Sequence, residues 1–204
     1  MTASLSRRQI LQGAAGVALG GAASQLIAAL PGAPPSPSAA LLARAEAALD
    51  RHGARLAVRD RFALADFSAP SRVPRFHLVD RIGGRTVPLL VAHGRGSDPA
   101  HSGWVERFSN EPGSLASSEG AYLAGDPYTG RHGRSRRLIG LDASNSNAET
   151  RAIVIHAAWY VGPDMVRTHG KLGRSEGCFA FAKSDLDRVM ETLTPGTLLF
   201  VGKA

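Results

Sequence analysis

The sequence predicts a mostly β domain with two peripheral α-helices. Three features carry that prediction: the β-branched run Ala152-Ile153-Val154-Ile155-His156, short strand-like pieces around it, and only two stretches with helical periodicity. The first helix spans residues 38–52, where Leu41, Leu42, Ala45, Ala48 and Leu49 recur at helical spacing and Gly53 is placed to stop it. Strand-like pieces follow at 61–67, 75–80 and 86–93, with Gly83-Gly84 as a hairpin turn between the last two. Pro88 cannot donate to a ladder, so the third piece is expected at a sheet edge or a bulge. Residues 94–134 are rich in Gly, Ser, Asn, Asp and Pro and read as long loops, which in a compact domain tend to be functional. Strand signals return at 136–141 and in the β-branched run, which sets His156 at a strand end. Ser184 is a candidate cap for the second helix, whose apolar face is Leu186, Val189, Met190 and Leu193. Residues 197–201 form the last strand. No internal repeat, dinucleotide-type or P-loop glycine pattern, or coiled-coil heptad is present.

At 204 residues, 44% apolar and 20% charged, the chain can bury one sizeable core, so one domain is expected after any leader. The formal charge of +7 suits a polyanion in general and selects none. Arg134, Arg136 and Arg137 form the densest basic run but lack interleaved aromatics, so they read as a solvated face and no nucleic-acid partner is expected. Ser6-Arg7-Arg8-Gln9-Ile10-Leu11 precedes a weakly apolar Gly/Ala-rich stretch and resembles a twin-arginine export signal. Residues 1–30 are therefore expected to engage the twin-arginine export machinery, and 31–40 to form a Pro-rich spacer. Low hydrophobicity and Gly20-Gly21 argue against a stable membrane span after cleavage, and an uncleaved anchor is the alternative. The expected location is the periplasm or cell envelope.

An exported protein normally uses cysteines in pairs, yet this chain has one, Cys178. It is either a small buried hydrophobe or a reactive thiol. Gly173-Arg174-Ser175-Glu176-Gly177-Cys178 sets it directly after a glycine-containing turn, where backbone N–H groups can converge on a reacting carbonyl. A nucleophilic cysteine needs an imidazole to take its proton, and His156 and His169 are nearest in sequence. Together with Cys178 they would also suffice for a zinc site, although their spacing fits no compact ligand pattern. For His156 the competing reading is a satisfied core histidine. Trp104, Trp159, Tyr122 and Tyr160 read first as core packing and second as stacking surfaces for a sugar or peptide.

Ile155-His156-Ala157-Ala158, followed twenty-two positions after His156 by Cys178 in Ser175-Glu176-Gly177-Cys178, resembles the signature of the L,D-transpeptidase (YkuD-type) catalytic domains. Ser117-Ser118-Glu119-Gly120-Ala121-Tyr122 resembles a strand entry of the same family, and His93-Gly94, Ser109-Asn110, Arg131-His132-Gly133 and Gly173-Arg174-Ser175 resemble a Gram-negative, murein-type branch. The resemblance implies a β-rich sandwich or barrel over residues 41–204. It implies Cys178 as nucleophile, His156 as general base, a backbone carbonyl near Ala157 orienting the imidazole, and the amides of Gly177 and Cys178 as oxyanion hole. The implied substrate is the peptidoglycan tetrapeptide stem: Cys178 attacks the carbonyl between its third and fourth residues, expels D-alanine and forms a thioester that an acceptor amine or water resolves. This chemistry asks for no metal or organic cofactor.

The chain departs from the pattern in two places: Glu176 stands where many members have histidine, and Phe179 where a smaller residue is usual. A carboxylate near the thiolate raises the thiol pKa. Glu176 can instead orient Ser175 or meet the ammonium of a diaminopimelate side chain. Arg174 is a candidate for a substrate carboxylate, with simple solvation as the alternative, and Ser175 is a further candidate; His93 and Ser118 could line the cleft, but hydrogen-bonded turn roles are the first reading for them. Cross-linking, L,D-carboxypeptidase action at the same site, and a non-catalytic wall-binding module are the competing functions.

Overall fold

The computed structural model describes residues 35–204; the expected export signal and the start of the expected spacer lie outside them. Among the described residues no helix is long and apolar enough to cross a membrane. The elements are α1 (Ala39–Arg51), β1 (Arg61–Asp66), β2 (Phe76–Asp80), β3 (Arg85–Leu89), β4 (Gly120–Gly130), β5 (Gly133–Gly140), β6 (Val154–Ala157), α2 (Pro163–His169), β7 (Phe179–Phe181), α3 (Lys183–Thr192) and β8 (Leu198–Gly202). The strands form one mixed sheet in the order β3-β2-β1-β8-β4-β5-β6-β7. Pro88 does lie in an edge strand, β3. Three residues beyond β3, Ala92 bridges Ala180 of β7, and Gly94 then bridges Ser175. The chain leaving one edge of the sheet thus pairs with the other, which curls the sheet into a partly closed barrel.

The central strands are covered on both faces, and their sequences show it. In β1 and β8 the alternate residues Phe62, Leu64, Leu198 and Phe200 pack against Leu41, Ala45, Ala48 and Leu49 of α1. Ala63, Ala65, Leu199 and Val201 face the larger core with Leu186, Val189 and Met190 of α3. A strand buried on both faces reads as a continuous apolar run, as Leu198-Leu199-Phe200-Val201 does. Ser38 caps α1 by accepting from the Leu41 N–H at 3.1 Å. Burying Leu41 and Leu49 contributes roughly 1.5–3 kcal/mol each, enough to fix α1 on the sheet.

Within that fold, three details differ from the sequence reading. The stretch read as loops holds β4, the longest strand, which pairs with both β5 and β8 and slips register between Ala124 and Pro127. Its Gly and Pro content hid it from periodicity, although the resemblance at residues 117–122 marks its entry, and pairing on both sides overrides that weak propensity. A third helix, α2, lies between β6 and β7. The last helix starts one residue before Ser184, with Ala182 at the cap position and no side-chain cap bond.

Candidate active site

Cys178 ends the turn that leads into β7, and β7 runs parallel to β6 with His156 opposite Ala180 and Ile155 opposite Phe179. Carrying that register one step back sets Cys178 opposite Val154, two residues from His156, so both side chains emerge on the same side of the sheet. They line one cleft of about 420 Å³ with Arg95, Arg131, His132 and Tyr160. A larger depression of about 850 Å³ lies against the β2–β3 hairpin, lined by residues such as Asp80, Ile82 and Arg85, far along the sheet from Cys178.

The turn carrying the thiol is held from several sides. Gly177 has φ +118, and a Cβ there would meet Ile153 Cδ1 at 2.8 Å and Ala116 O at 2.9 Å. Only glycine fits that backbone and that gap. Ser175 Oγ donates to Cys178 O at 2.6 Å and accepts from the Gly177 N–H at 3.2 Å. The Ser175 N–H donates to His93 O, and the Arg95 N–H to Ser175 O. Ser117 Oγ donates to Gly177 O at 3.2 Å. The Gly177 N–H, expected in an oxyanion hole, is therefore bonded inside the turn. The Cys178 N–H has no protein acceptor among the described residues.

His156 Nδ1 donates to Ala157 O at 2.9 Å, which leaves Nε2 without a protein partner among the described residues. Its ring stacks on that of exposed His132, centroid to centroid 4.2 Å, at the tip of the β4–β5 hairpin. Burial lowers the His156 pKa below the ordinary imidazole value; the Ala157 bond raises it, and His132 and Arg131 lower it further. Burial raises the thiol pKa of half-buried Cys178; a bond from the Val154 backbone and the charge of Arg131 oppose this, while Glu176 adds to it. Both groups are thus favoured in their neutral forms. Sγ points toward Ala152 O at 3.5 Å.

The remaining expected residues divide sharply. Glu176 stands at the mouth, paired with Arg95 at 2.9 Å and more loosely with Arg131 at 3.9 Å. Arg174 lines the cleft but donates to Asp98 O and Pro99 O, so it braces a loop. His93 and Ser118 do not reach the cleft. His93 is 1 % exposed, with Arg75 Nη2 2.6 Å from Nδ1 and Asp98 Oδ2 3.3 Å from Nε2. Ser118 donates to Ser109 O and accepts from Arg151 Nη1. His169 lines a neighbouring groove, so the three-ligand zinc arrangement is not brought together.

Sequence reasoning missed Arg95, Arg151 and Arg75. Arg151 donates to Ser109 O, Ser118 Oγ, Ser114 Oγ and Ala116 O, pinning the 109–118 loop beside the cysteine turn. Nothing in a single arginine's neighbours signals such long-range bonds.

The model of the L,D-transpeptidase catalytic domain matches residues 36–201. This chain belongs to that family. No curated protein matches this chain significantly. Solved structures similar to it include an L,D-transpeptidase from Mycobacterium smegmatis, 12% identical, covering 70% of this chain and 58% of that one with a TM-score of 0.43. L,D-transpeptidase 3 from Mycobacterium tuberculosis, in complex with a faropenem-derived adduct, is 12% identical over 70% of this chain and 60% of its own, with a TM-score of 0.44. An L,D-transpeptidase from Xylanimonas cellulosilytica is 14% identical over 77% and 68%, with a TM-score of 0.41. The chain thus spans less than two thirds of the first two.

Proposed function

We propose that this chain is an exported cysteine acyltransferase that forms 3-3 cross-links between peptidoglycan tetrapeptide stems through a Cys178 thioester. The observation that carries the reading is the shared cleft of Cys178 and His156, with His156 Nδ1 fixed on Ala157 O and Nε2 left unpartnered. Because burial favours both neutral forms, His156 acts as a general base during attack and not as half of a preformed ion pair. The Cys178 thiol gives its proton to Nε2 as sulfur bonds to the third residue's carbonyl carbon. The resulting oxyanion meets the Cys178 N–H, a donor worth a few kcal/mol where charge develops (~3). His156 returns the proton to the nitrogen of the departing D-alanine, leaving the thioester. An acceptor amine, deprotonated by His156, then displaces the thiol. Glu176, paired with Arg95 and near Arg131, partly neutralises the basic mouth. The Arg7-Arg8 leader supports export to the cell envelope.

Purified disaccharide-tetrapeptide, incubated with wild type and Cys178→Ala and followed by mass spectrometry, tests the reading. Cysteine-dependent loss of alanine with dimer formation supports it. Monomeric tripeptide alone identifies an L,D-carboxypeptidase with the same two residues, and an untouched substrate overturns acyl transfer.

A further inference from the structure

Next to the Cys178 cleft lies a second groove of about 460 Å³ that shares Tyr160 and Arg174 with it. Its wall is the β6–α2 turn, where Trp159 is 85% exposed while Tyr122, from the same set of aromatic candidates, is buried in the core. The exposed indole gives the groove a wide apolar face with a polar N–H at its edge, the kind of side chain that binding surfaces favour. The turn that presents it is rigid. The Ala158 N–H donates to Phe181 O at 2.8 Å, the Gly173 N–H to Tyr160 O at 2.9 Å, and Tyr160 meets the Trp159 ring edge to face at 5.8 Å. Lys171 and Arg174 line the groove with no carboxylate beside them, and each is anchored by a backbone carbonyl, of His101 and of Pro99. Fixed, positively charged N–H donors around an aromatic face suit a polyhydroxylated ring that offers C–H groups to the indole and oxygen acceptors to the rim.

We infer that the Trp159 groove binds the N-acetylated sugar that carries the stem peptide. This rests on the acyl-transfer reading, which sets the third stem residue at Cys178. An extended chain of three residues reaches about 10 Å, so the sugar attached to its start must lie just outside the cleft. The groove adjoining it through Tyr160 and Arg174 meets that requirement.

The test compares the full chain and Trp159→Ala on disaccharide-tetrapeptide and on the free tetrapeptide. Wild type is expected to prefer the disaccharide substrate by about tenfold in kcat/KM, carried by KM, and the variant to lose that preference while Trp159→Phe keeps most of it. An equal preference in wild type and Trp159→Ala overturns the inference. Calorimetry of Cys178→Ala with the disaccharide alone separates the two readings. Binding that disappears in Cys178→Ala/Trp159→Ala supports the groove even if no acyl transfer occurs. Binding indifferent to Trp159, or a short oligonucleotide binding there more tightly than the disaccharide, overturns it.

Discussion

His156 and His93 flank the same cysteine turn, one through the neighbouring strand and the other through a backbone carbonyl, yet their surroundings differ in one decisive respect. His93 has both ring nitrogens engaged: Nδ1 by Arg75 and Nε2 by Asp98, in a cluster sealed from solvent. His156 has one nitrogen on Ala157 O and the other open to the cleft. Burial and the Arg75 charge push the His93 pKa down to about 3, against the pull of Asp98, so its neutral ring relays hydrogen bonds between an arginine and an aspartate. Arg75 itself, fully buried over the Phe67 ring, is lowered to about 9 by desolvation and remains charged. A histidine satisfied on both sides builds structure, and one satisfied on a single side is available for proton transfer.

The sharpest way to break this contrast is to remove each ring in turn. His156→Ala is expected to lower kcat/KM by roughly a hundred- to ten-thousand-fold, as loss of a general base does, with only a modest fall in the urea midpoint of unfolding. His93→Ala is expected to act the other way round. It leaves Arg75 and Asp98 facing a cavity and costs about 1–3 kcal/mol of stability by denaturant unfolding, while folded molecules keep activity within a factor of a few. An activity loss as large as that of His156→Ala would erase the distinction.

The same contrast has a pH signature. The unfolded chain protonates His93 below about 6.5 whereas the folded one does so only near 3, so unfolded molecules bind more protons in that window. Stability should be full above about pH 6.5 and fall as pH drops toward 3, and His93→Gln should flatten that slope in pH-dependent urea melts. Activity, by contrast, should persist on the acid side to below the ordinary imidazole value, because burial holds His156 neutral there. A pH–kcat/KM profile checks this. The smallest effect concerns the cleft mouth: Glu176→Gln removes a carboxylate that raises the thiol pKa, and should speed alkylation of Cys178 by about twofold, the scale of an exposed ion pair.

Much of the site was legible because it is local. Cys178, Ser175 and Gly177 occupy one turn, and the β-branched run before His156 announces a strand whose end must carry it. The α2 helix had readable signals too, Pro163 in its first turn and Gly170 in the left-handed conformation at its end, but seven residues with none buried gave no apolar period. What stayed hidden is non-local. β4 becomes a strand through partners at both sides, Arg151 reaches back to the 109–118 loop, and Arg75 meets His93 eighteen residues away. For His93 and Ser118 the choice between the cleft and a hydrogen-bonded structural role waits on the fold, since whether a polar side chain faces a cleft or a buried arginine depends on packing that sequence neighbours do not encode.

The position of β8 has a consequence for how the thiol comes into being. This strand pairs with β1 on one side and β4 on the other, so it joins β3-β2-β1 to the four strands β4 to β7. Because β8 follows the other strands among the described residues, a ribosome releases it after the cysteine turn has been made. Until it inserts, the Ala92–Ala180 and Gly94–Ser175 bridges and the Gly94–Ser117 hydrogen bond tie the two halves at the cysteine turn.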